Sequence, residues 1–304
     1  MPYTPLQLAE ASIQTGELQD ALDALNQHLD ANPSDDDARR MRIQVLMRMS
    51  DNANLRLALD DLNHLATPTL DDVVQKSIIY ERLGDLSLAL EEITSIWSLN
   101  SADDRLTERY LRLLVVRGEI GKAIVMGGLL PRTWRWLQWR GDIYALAEMP
   151  EAAIQQYSEA LIHLAEQFNL DIDQWGRAIQ ARLLLARADA YIQLSKFLNQ
   201  TEPALDDLSG ESVRYKFIRA AGHSIESTLV NADVDYLAAQ SIIPTDPMIP
   251  FKRGLLVALQ GDESQAENLC RAAWSDANDL LRNEMRMALA EDERFGVLTA
   301  LFNS

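Results

Sequence analysis

A short pattern recurs along this chain of 304 residues, and it restricts the possible folds more than any other feature. In five segments a glycine, or a residue in its place, is followed five positions later by an alanine. The segments are Gly16 to Ala21, Gly84 to Ala89, Gly118 to Ala123, Glu148 to Ala153, and Gly261 to Ala266. With Ala58 counted as the second of these alanines, they recur about every 33 residues up to Ala153, a spacing typical of repeat proteins.

Each recurrence predicts a pair of helices. A glycine after an amphipathic run ends a helix, because it adopts the left-handed backbone that satisfies the last carbonyl groups. The Asp or Glu that follows the glycine in GEL, GDL, GEI and GDE favours the start of a second helix. One such hairpin cannot cover its own apolar face and must stack on its neighbours. The sequence therefore predicts an all-α solenoid.

The pattern resembles the tetratricopeptide repeat (TPR), a helix-turn-helix unit of about 34 residues with small and large side chains at fixed places. One repeat near the middle of the chain carries the resemblance best, at Leu137, Gly141, Tyr144, Ala153, Tyr157 and Ala160. The first repeat matches at Leu8, Gly16, Ala21 and Pro33, and the last at Gly254, Gly261, Ala266 and Ala273. The resemblance implies a right-handed α-solenoid of about seven to eight TPR-like helical hairpins with a C-terminal capping helix.

We expect one solenoid with an internal boundary near residue 246. Residues 1–246 are predicted to form a TPR-like superhelix that is irregular from about residue 195, with a loop over 196–203. Residues 247–304 are predicted to hold the final repeat and a capping helix over about 280–301. The segment 243–250 contains three prolines and is predicted to be a connection, because a proline inside a helix costs about 3 kcal/mol. The segment 36–69 lacks the turn glycine, so its repeat boundaries stay open.

Composition excludes several functions. The 28 Lys and Arg against 46 Asp and Glu give a formal charge of −18, which opposes nucleic-acid binding. A single cysteine and four scattered histidines offer neither a disulfide framework nor a metal site. No apolar stretch approaches the length of about 18 residues that a membrane span needs, and the N-terminus lacks a secretion signal. We therefore expect a cytoplasmic protein that binds no membrane, metal or cofactor.

Nothing in the sequence indicates catalysis. The nucleophile-elbow, P-loop, zinc-protease and C-x-x-C motifs are all missing. His223 and Ser224 are neighbours, but adjacent helical side chains point about 100 degrees apart. Cys270 falls at a repeat position that the TPR family fills with a large apolar residue, so we expect it in the core. The chain is predicted not to be an enzyme.

The distribution of charge points to a binding surface. From Arg105 to Arg140 the chain has eight basic and two acidic residues, and we call this stretch the basic island. Such a reversal of charge in an acidic chain steers partners of opposite sign. Arg105, Arg109 and Arg112 are spaced i, i+4 and i+7, so they share a helix face. The face is either simply solvated or a docking site.

The TPR resemblance assigns these residues to a concave groove. It places Arg105, Arg109, Arg112, Arg135, Gln138, Trp139, Asp142 and Arg182 along the groove, together with Asp189. Of the three tryptophans in the segment TWRWLQWR, Trp134 and Trp136 are expected to pack against the preceding helix, where two glycines leave a gap, and Trp139 to be exposed. Arg140 is expected to be structural, with its stem on apolar surface and its head in water.

Two functions fit these features. The first is a non-enzymatic scaffold that binds an acidic or C-terminal peptide, or a helix, in the groove, because Trp and Arg dominate many interfaces. The alternative is a structural subunit that self-associates or stacks into a larger assembly, with the acidic remainder of one copy against the basic island of another.

Overall fold

The computed structural model describes residues 3–97, 103–200, 209–290 and 295–302. These residues form helices joined by turns, with no strand among them. The chain divides into two units, Met1–Ala123 and Ile124–Ser304. The all-α solenoid is confirmed, and within the part described no helix is long and apolar enough to cross a bilayer. The boundary expected near residue 246 was one between successive repeats of a solenoid, not one between compact units, so it stays a prediction.

The first unit is a series of antiparallel helices. Its helices are α1 (Pro5–Thr15), α2 (Leu18–Ala31), α3 (Asp36–Met49), α4 (Asn52–Asn63), α5 (Leu70–Leu83), α6 (Leu86–Trp97) and α7 (Asp104–Val116), and α8 (Ile120–Gly128) begins in it. Each helix from α1 to α6 packs on the next one. Buried apolar side chains such as Leu25, Ile43 and Ile79 fill the spaces between them.

The turns of this unit have a regular register. The residues with positive φ at helix ends are Gly16, Ser50, Gly84 and Gly118, each 34 residues after the one before. Ser50 therefore takes the place of the glycine that the segment 36–69 lacks. The residue five places after Ser50 is Leu55, which is buried, so counting Ala58 as the second anchor was wrong by three residues. A larger side chain at the helix crossing had concealed the regular spacing.

One buried ion pair ties α3 to α5. The Asp72 carboxylate is 3% exposed and accepts hydrogen bonds from Arg40 Nε at 3.2 Å and from the Thr69 hydroxyl at 2.9 Å. Burial opposes the charge on Asp72, but the bonds from Arg40 and Thr69 outweigh it and hold the pKa below its usual value. The carboxylate also caps the first turn of α5 through the Thr69 amide.

The second unit has longer and less regular helices. They are α9 (Trp134–Leu146), α10 (Pro150–Gln167), α11 (Gln174–Gln200), α12 (Gly210–Ala220), α13 (Ile225–Ile242), α14 (Met248–Leu259), α15 (Glu263–Asp276), α16 (Asp279–Ala290) and α17 (Gly296–Phe302). Glu148 has φ +56°, so it does replace a glycine in the turn before α10. The main partner of α11 is α13. The intervening α12 places Ile218 in the core formed by α9, α10 and α11.

Close helix crossings in this unit require glycine. A Cβ atom at Gly141 would lie 2.4 Å from the ring of Tyr157, and one at Gly254 would lie 2.5 Å from Cys270 Sγ. Cys270 is fully buried, and burial raises the pKa of its thiol to about 12. The prediction that Cys270 is a core residue is confirmed.

Three predicted boundaries were wrong. The loop over 196–203 is helical up to Gln200, because Leu198 belongs to the core and keeps α11 going; residues 201–203 lie outside the described part. The connection over 243–250 ends at residue 247, since Pro250 fits the first turn of α14, where its missing N–H is not needed. In place of one capping helix the described residues form two, α16 and α17, and Phe302 of α17 stacks on Trp274 with ring centroids 4.5 Å apart.

Candidate binding surfaces

In the first unit, the three arginines of α7 face carboxylates of α5 and of the α7 N-terminus. Arg109 is only 10% exposed; it pairs with Glu81 and donates to Ser77 Oγ at 3.3 Å. Arg112 is 64% exposed and lies 3.4 Å from the same Glu81. Arg105 is 73% exposed and lies 3.3 Å from Asp103, the N-cap of its own helix. The arginines thus share a side of α7 as predicted, but much of their charge is already matched.

Most of the remaining basic island is matched in the same way. Glu119 lies 3.3 Å from Arg117 and 3.5 Å from Lys122. Arg132 forms a bidentate pair with Glu159 of α10. The sequence shows an excess of positive charge in this stretch because the carboxylates that balance it lie elsewhere in the chain.

Arg140 has a different role from the one expected. Its head does not reach water, since the residue is 9% exposed. Its guanidinium donates to the carbonyl oxygen of Gly127 at 2.8 Å and to that of Leu130. These carbonyls belong to the C-terminal end of α8 and the turn after it, where few helical N–H groups are available; the Gly127 carbonyl also accepts from the Leu130 amide at 3.1 Å. Desolvation lowers the pKa of Arg140. Arg140 is a buried cap on α8.

The tryptophans of α9 also exchange their expected places. Trp139 lies over Gly127, where a Cβ would come within 2.8 Å of its ring, so Trp139 fills the glycine gap and is half-buried. Trp134 packs edge-on against Trp175 of α11, with ring centroids 5.8 Å apart. Trp136 is buried, with the Arg135 guanidinium 5.7 Å from its ring. The prediction that Trp134 and Trp136 fill this gap was wrong, because Trp139, further along the same helix, reaches Gly127 instead.

The other predicted residues lie on α9 and α11 of the second unit. We define the α9/α11 face as Arg135, Gln138, Trp139, Asp142 and Arg182. Arg135 and Arg182 are exposed, and the other three are half-buried. No hydrogen bond or ion pair joins Arg182 to any described residue, although its charge acts on Asp142. This face therefore presents a cation, an amide and part of an indole to solvent.

The carboxyl group of Asp142 is fixed by a hydrogen bond from the neighbouring helix α10. The Tyr157 hydroxyl donates to Asp142 Oδ1 at 2.8 Å. Burial raises the pKa of Asp142, and the Tyr157 bond and Arg182 only partly oppose that shift. The Tyr157 pKa is raised as well, by burial first and then by Asp142. Asp142 thus has a hydrogen-bond partner in Tyr157, and no ion pair joins it to Arg182.

A second group of the same kind lies further along this unit. Asp189 accepts from the Tyr236 hydroxyl at 2.5 Å and pairs with Lys252 Nζ at 2.6 Å. Burial, and then Asp189, raise the pKa of Tyr236 well above its usual value. Sequence reasoning missed Lys252 and Tyr236. Lys252 precedes Gly254 by two residues, as Trp139 precedes Gly141, so the repeat register could have marked it.

Solved structures of other proteins share this arrangement of helices. The C-terminal part of a TPR repeat-containing protein from Cytophaga hutchinsonii aligns over 88% of this chain and 92% of that one, with 13% identity and a TM-score of 0.57. The chain has a tetratricopeptide-type fold. The human IFIT1 dimer with m7Gppp-AAAA aligns to this TPR-type chain over 97% of its residues and over 65% of IFIT1, with 11% identity and a TM-score of 0.50. No family model and no curated protein matches the sequence.

Proposed function

We propose that this chain is a non-enzymatic scaffold for protein partners, and that its α9/α11 face binds an acidic peptide or helix. The observation that carries the proposal is Arg182, an exposed guanidinium that no described residue pairs with. The TPR-type fold supports it, because stacked helix pairs offer extended surfaces for binding. Among the residues described, no group of His, Cys, Asp and Glu could hold a metal ion.

The chemistry of the face suits a carboxylate next to an apolar side chain. The Arg182 fork can hold a carboxylate through two parallel hydrogen bonds, the strongest geometry open to an ion pair. Gln138 adds an amide that can donate and accept. The exposed part of Trp139 offers a rigid apolar surface, and aromatic residues are common anchors at interfaces. Arg135 adds positive charge at the same side of α9.

The arginines of α7 form a second, weaker candidate on the first unit. A partner carboxylate at Arg112 would compete with Glu81, and one at Arg105 would compete with Asp103. Arg109 is already enclosed by Glu81 and Ser77, so we propose that it positions this side of α7 and makes no partner contact. Replacing Arg112 should therefore matter less than replacing Arg182.

Selection of peptides tests the proposal directly. A displayed library of random peptides is selected against the protein at about 0.15 M salt, which screens the overall negative charge of the chain. Binding of the selected peptides to Arg182→Glu is then compared with binding to Arg271→Glu, an equal change at an exposed arginine of α15. We expect acidic peptides, a loss of about tenfold or more in affinity for Arg182→Glu, and little change for the control.

Two results would contradict this function. If the selected peptides have no bias toward Asp and Glu, the proposal that the partner is acidic is wrong. If Arg182→Glu and the unchanged protein bind these peptides with equal affinity, the proposal that the α9/α11 face is the binding site is wrong. The IFIT1 neighbour carries a capped RNA, but the formal charge of −18 opposes such a ligand for this chain.

A structural subunit that self-associates remains the second candidate, on a separate observation. Val230, Val234 and Leu237 of α13 are about half exposed and are spaced i, i+4 and i+7. This apolar stripe fits a second copy of the chain better than the basic island does, because the island is matched internally. Sedimentation at several salt concentrations tests this second candidate. Self-association that persists at high salt and is abolished by Val234→Asp supports an interface at the apolar stripe. A monomer at every salt concentration contradicts it.

A further inference from the structure

A pocket of about 280 Å³ lies in the second unit, between α11, α13, α14 and α16. Its size is close to the lower end of the range for small-molecule sites. Most of its lining is apolar, contributed by Ile192, Met248, Phe251, Leu255, Leu259 and Phe295. It shares no residue with the α9/α11 face.

The polar groups on one wall of the pocket already satisfy one another. Asp189 receives the Tyr236 hydroxyl at 2.5 Å and Lys252 Nζ at 2.6 Å, so its two oxygens each have a partner. The charges of Asp189 and Lys252 cancel. This wall therefore offers a ligand little more than contact area.

Lys196 is the exception among the charged residues of the lining. It is half-buried on α11, two turns beyond Asp189, and it makes no hydrogen bond or ion pair with any described residue. The lining thus carries one unmatched positive charge in a chain whose formal charge is −18. An apolar cavity with one such ammonium at its wall is complementary to an apolar chain that ends in an anion.

We infer that this pocket binds the alkyl chain of a carboxylic acid of about eight to twelve carbons, with the carboxylate at Lys196. The apolar side chains of α11, α14 and α16 enclose the methylene groups, and Lys196 sets which end of the ligand faces solvent. This inference goes beyond the scaffold function and does not depend on it. Binding of such an acid and binding of an acidic peptide can fail separately, since they use different residues.

Isothermal titration of the full chain with straight-chain acids tests the inference. Octanoate, decanoate and dodecanoate are used below their micelle concentrations, and decanol and decyltrimethylammonium serve as probes with the same chain but another head group. Affinity should rise with chain length, by up to about fourfold for each methylene buried, until the pocket is full. Decanoate should bind at least about tenfold more tightly than decyltrimethylammonium.

Three variants localise the site. Lys196→Gln should weaken the binding of decanoate by up to about fivefold and leave the binding of decanol unchanged, while Lys216→Gln, an equal change at an exposed lysine of α12, should alter neither. Ala288→Trp, which places a large side chain in the pocket, should abolish both; its circular dichroism spectrum shows whether it is folded.

The inference is overturned if no acid of the series binds saturably, if decyltrimethylammonium binds as tightly as decanoate, or if Lys196→Gln and Lys216→Gln behave alike. Should Ala288→Trp not fold, Lys196→Gln alone decides between these results, because the Lys196 ammonium makes no hydrogen bond or ion pair with a described residue that folding could need.

Discussion

Replacing Gly254 with alanine tests how closely α14 and α15 approach. The new Cβ would lie 2.5 Å from Cys270 Sγ and 3.1 Å from the carbonyl oxygen of Ala266, both too close for an unrelaxed contact. Overpacking of this kind costs about 1 to 3 kcal/mol. Alanine inside a helix regains about 0.5 to 1 kcal/mol relative to glycine. We therefore expect Gly254→Ala to lower the free energy of unfolding by about 1 to 2 kcal/mol.

A second substitution shows whether the sulfur atom is the cause. Cys270→Ala removes Sγ and leaves a small cavity, at a cost of about 1 kcal/mol. In the double variant the new methyl group occupies part of the space that the sulfur left. The two changes should then be less harmful together than their sum, with a coupling free energy of about 1 to 2 kcal/mol.

Urea unfolding followed by far-ultraviolet circular dichroism measures all four proteins. The comparison of midpoints is valid where the slopes agree, since the slope reports the surface exposed on unfolding. Gly121→Ala in α8 is the matched control, because its Cβ would have no neighbour within 4 Å; it should be neutral or slightly stabilising. Strict additivity of Gly254→Ala and Cys270→Ala, or a Gly254→Ala protein as stable as the original, would refute the reasoning.

Three further changes should alter stability in known directions. Glu148→Gly should stabilise the chain by about 0.5 to 1 kcal/mol in thermal unfolding, because the residue has a left-handed backbone; a lower midpoint would contradict this. Arg140→Leu should cost about 2 kcal/mol, since two carbonyl groups lose a charged donor, whereas Arg56→Leu at an exposed position of α4 should cost less than about 0.5 kcal/mol. Asp72→Asn should cost about 2 kcal/mol at neutral pH by weakening the pair with Arg40. The lowered pKa of Asp72 stabilises the fold above its unfolded value of about 3.9, so this difference should shrink as the pH falls below about 4, and a constant difference would exclude the pair.

The sequence predicted the backbone of this fold better than its contacts. Turn residues and helix crossings are local features, and the substitution of Glu148 for a turn glycine could be seen directly. Where a local signal was weak, as at Ser50, the spacing of its neighbours carried the same information.

Contacts between helices were harder to predict. Arg109 looks like a surface cation in sequence, and its partner Glu81 belongs to a different helix pair, 28 residues earlier. Periodicity shows which side of a helix a residue occupies, but not which group faces it there. The same reason explains Trp139 and Arg140, whose places depend on two carbonyl groups and a glycine of α8.

The pairing of α11 with α13 has a practical consequence. The apolar seam between these two helices does not depend on the covalent link through α12, and loop entropy grows only slowly with the length of a connection. A backbone break introduced immediately before α12 would leave two fragments with complementary edges. The chain thus contains a natural place to divide it for fragment complementation, where reassembly itself could be made the signal.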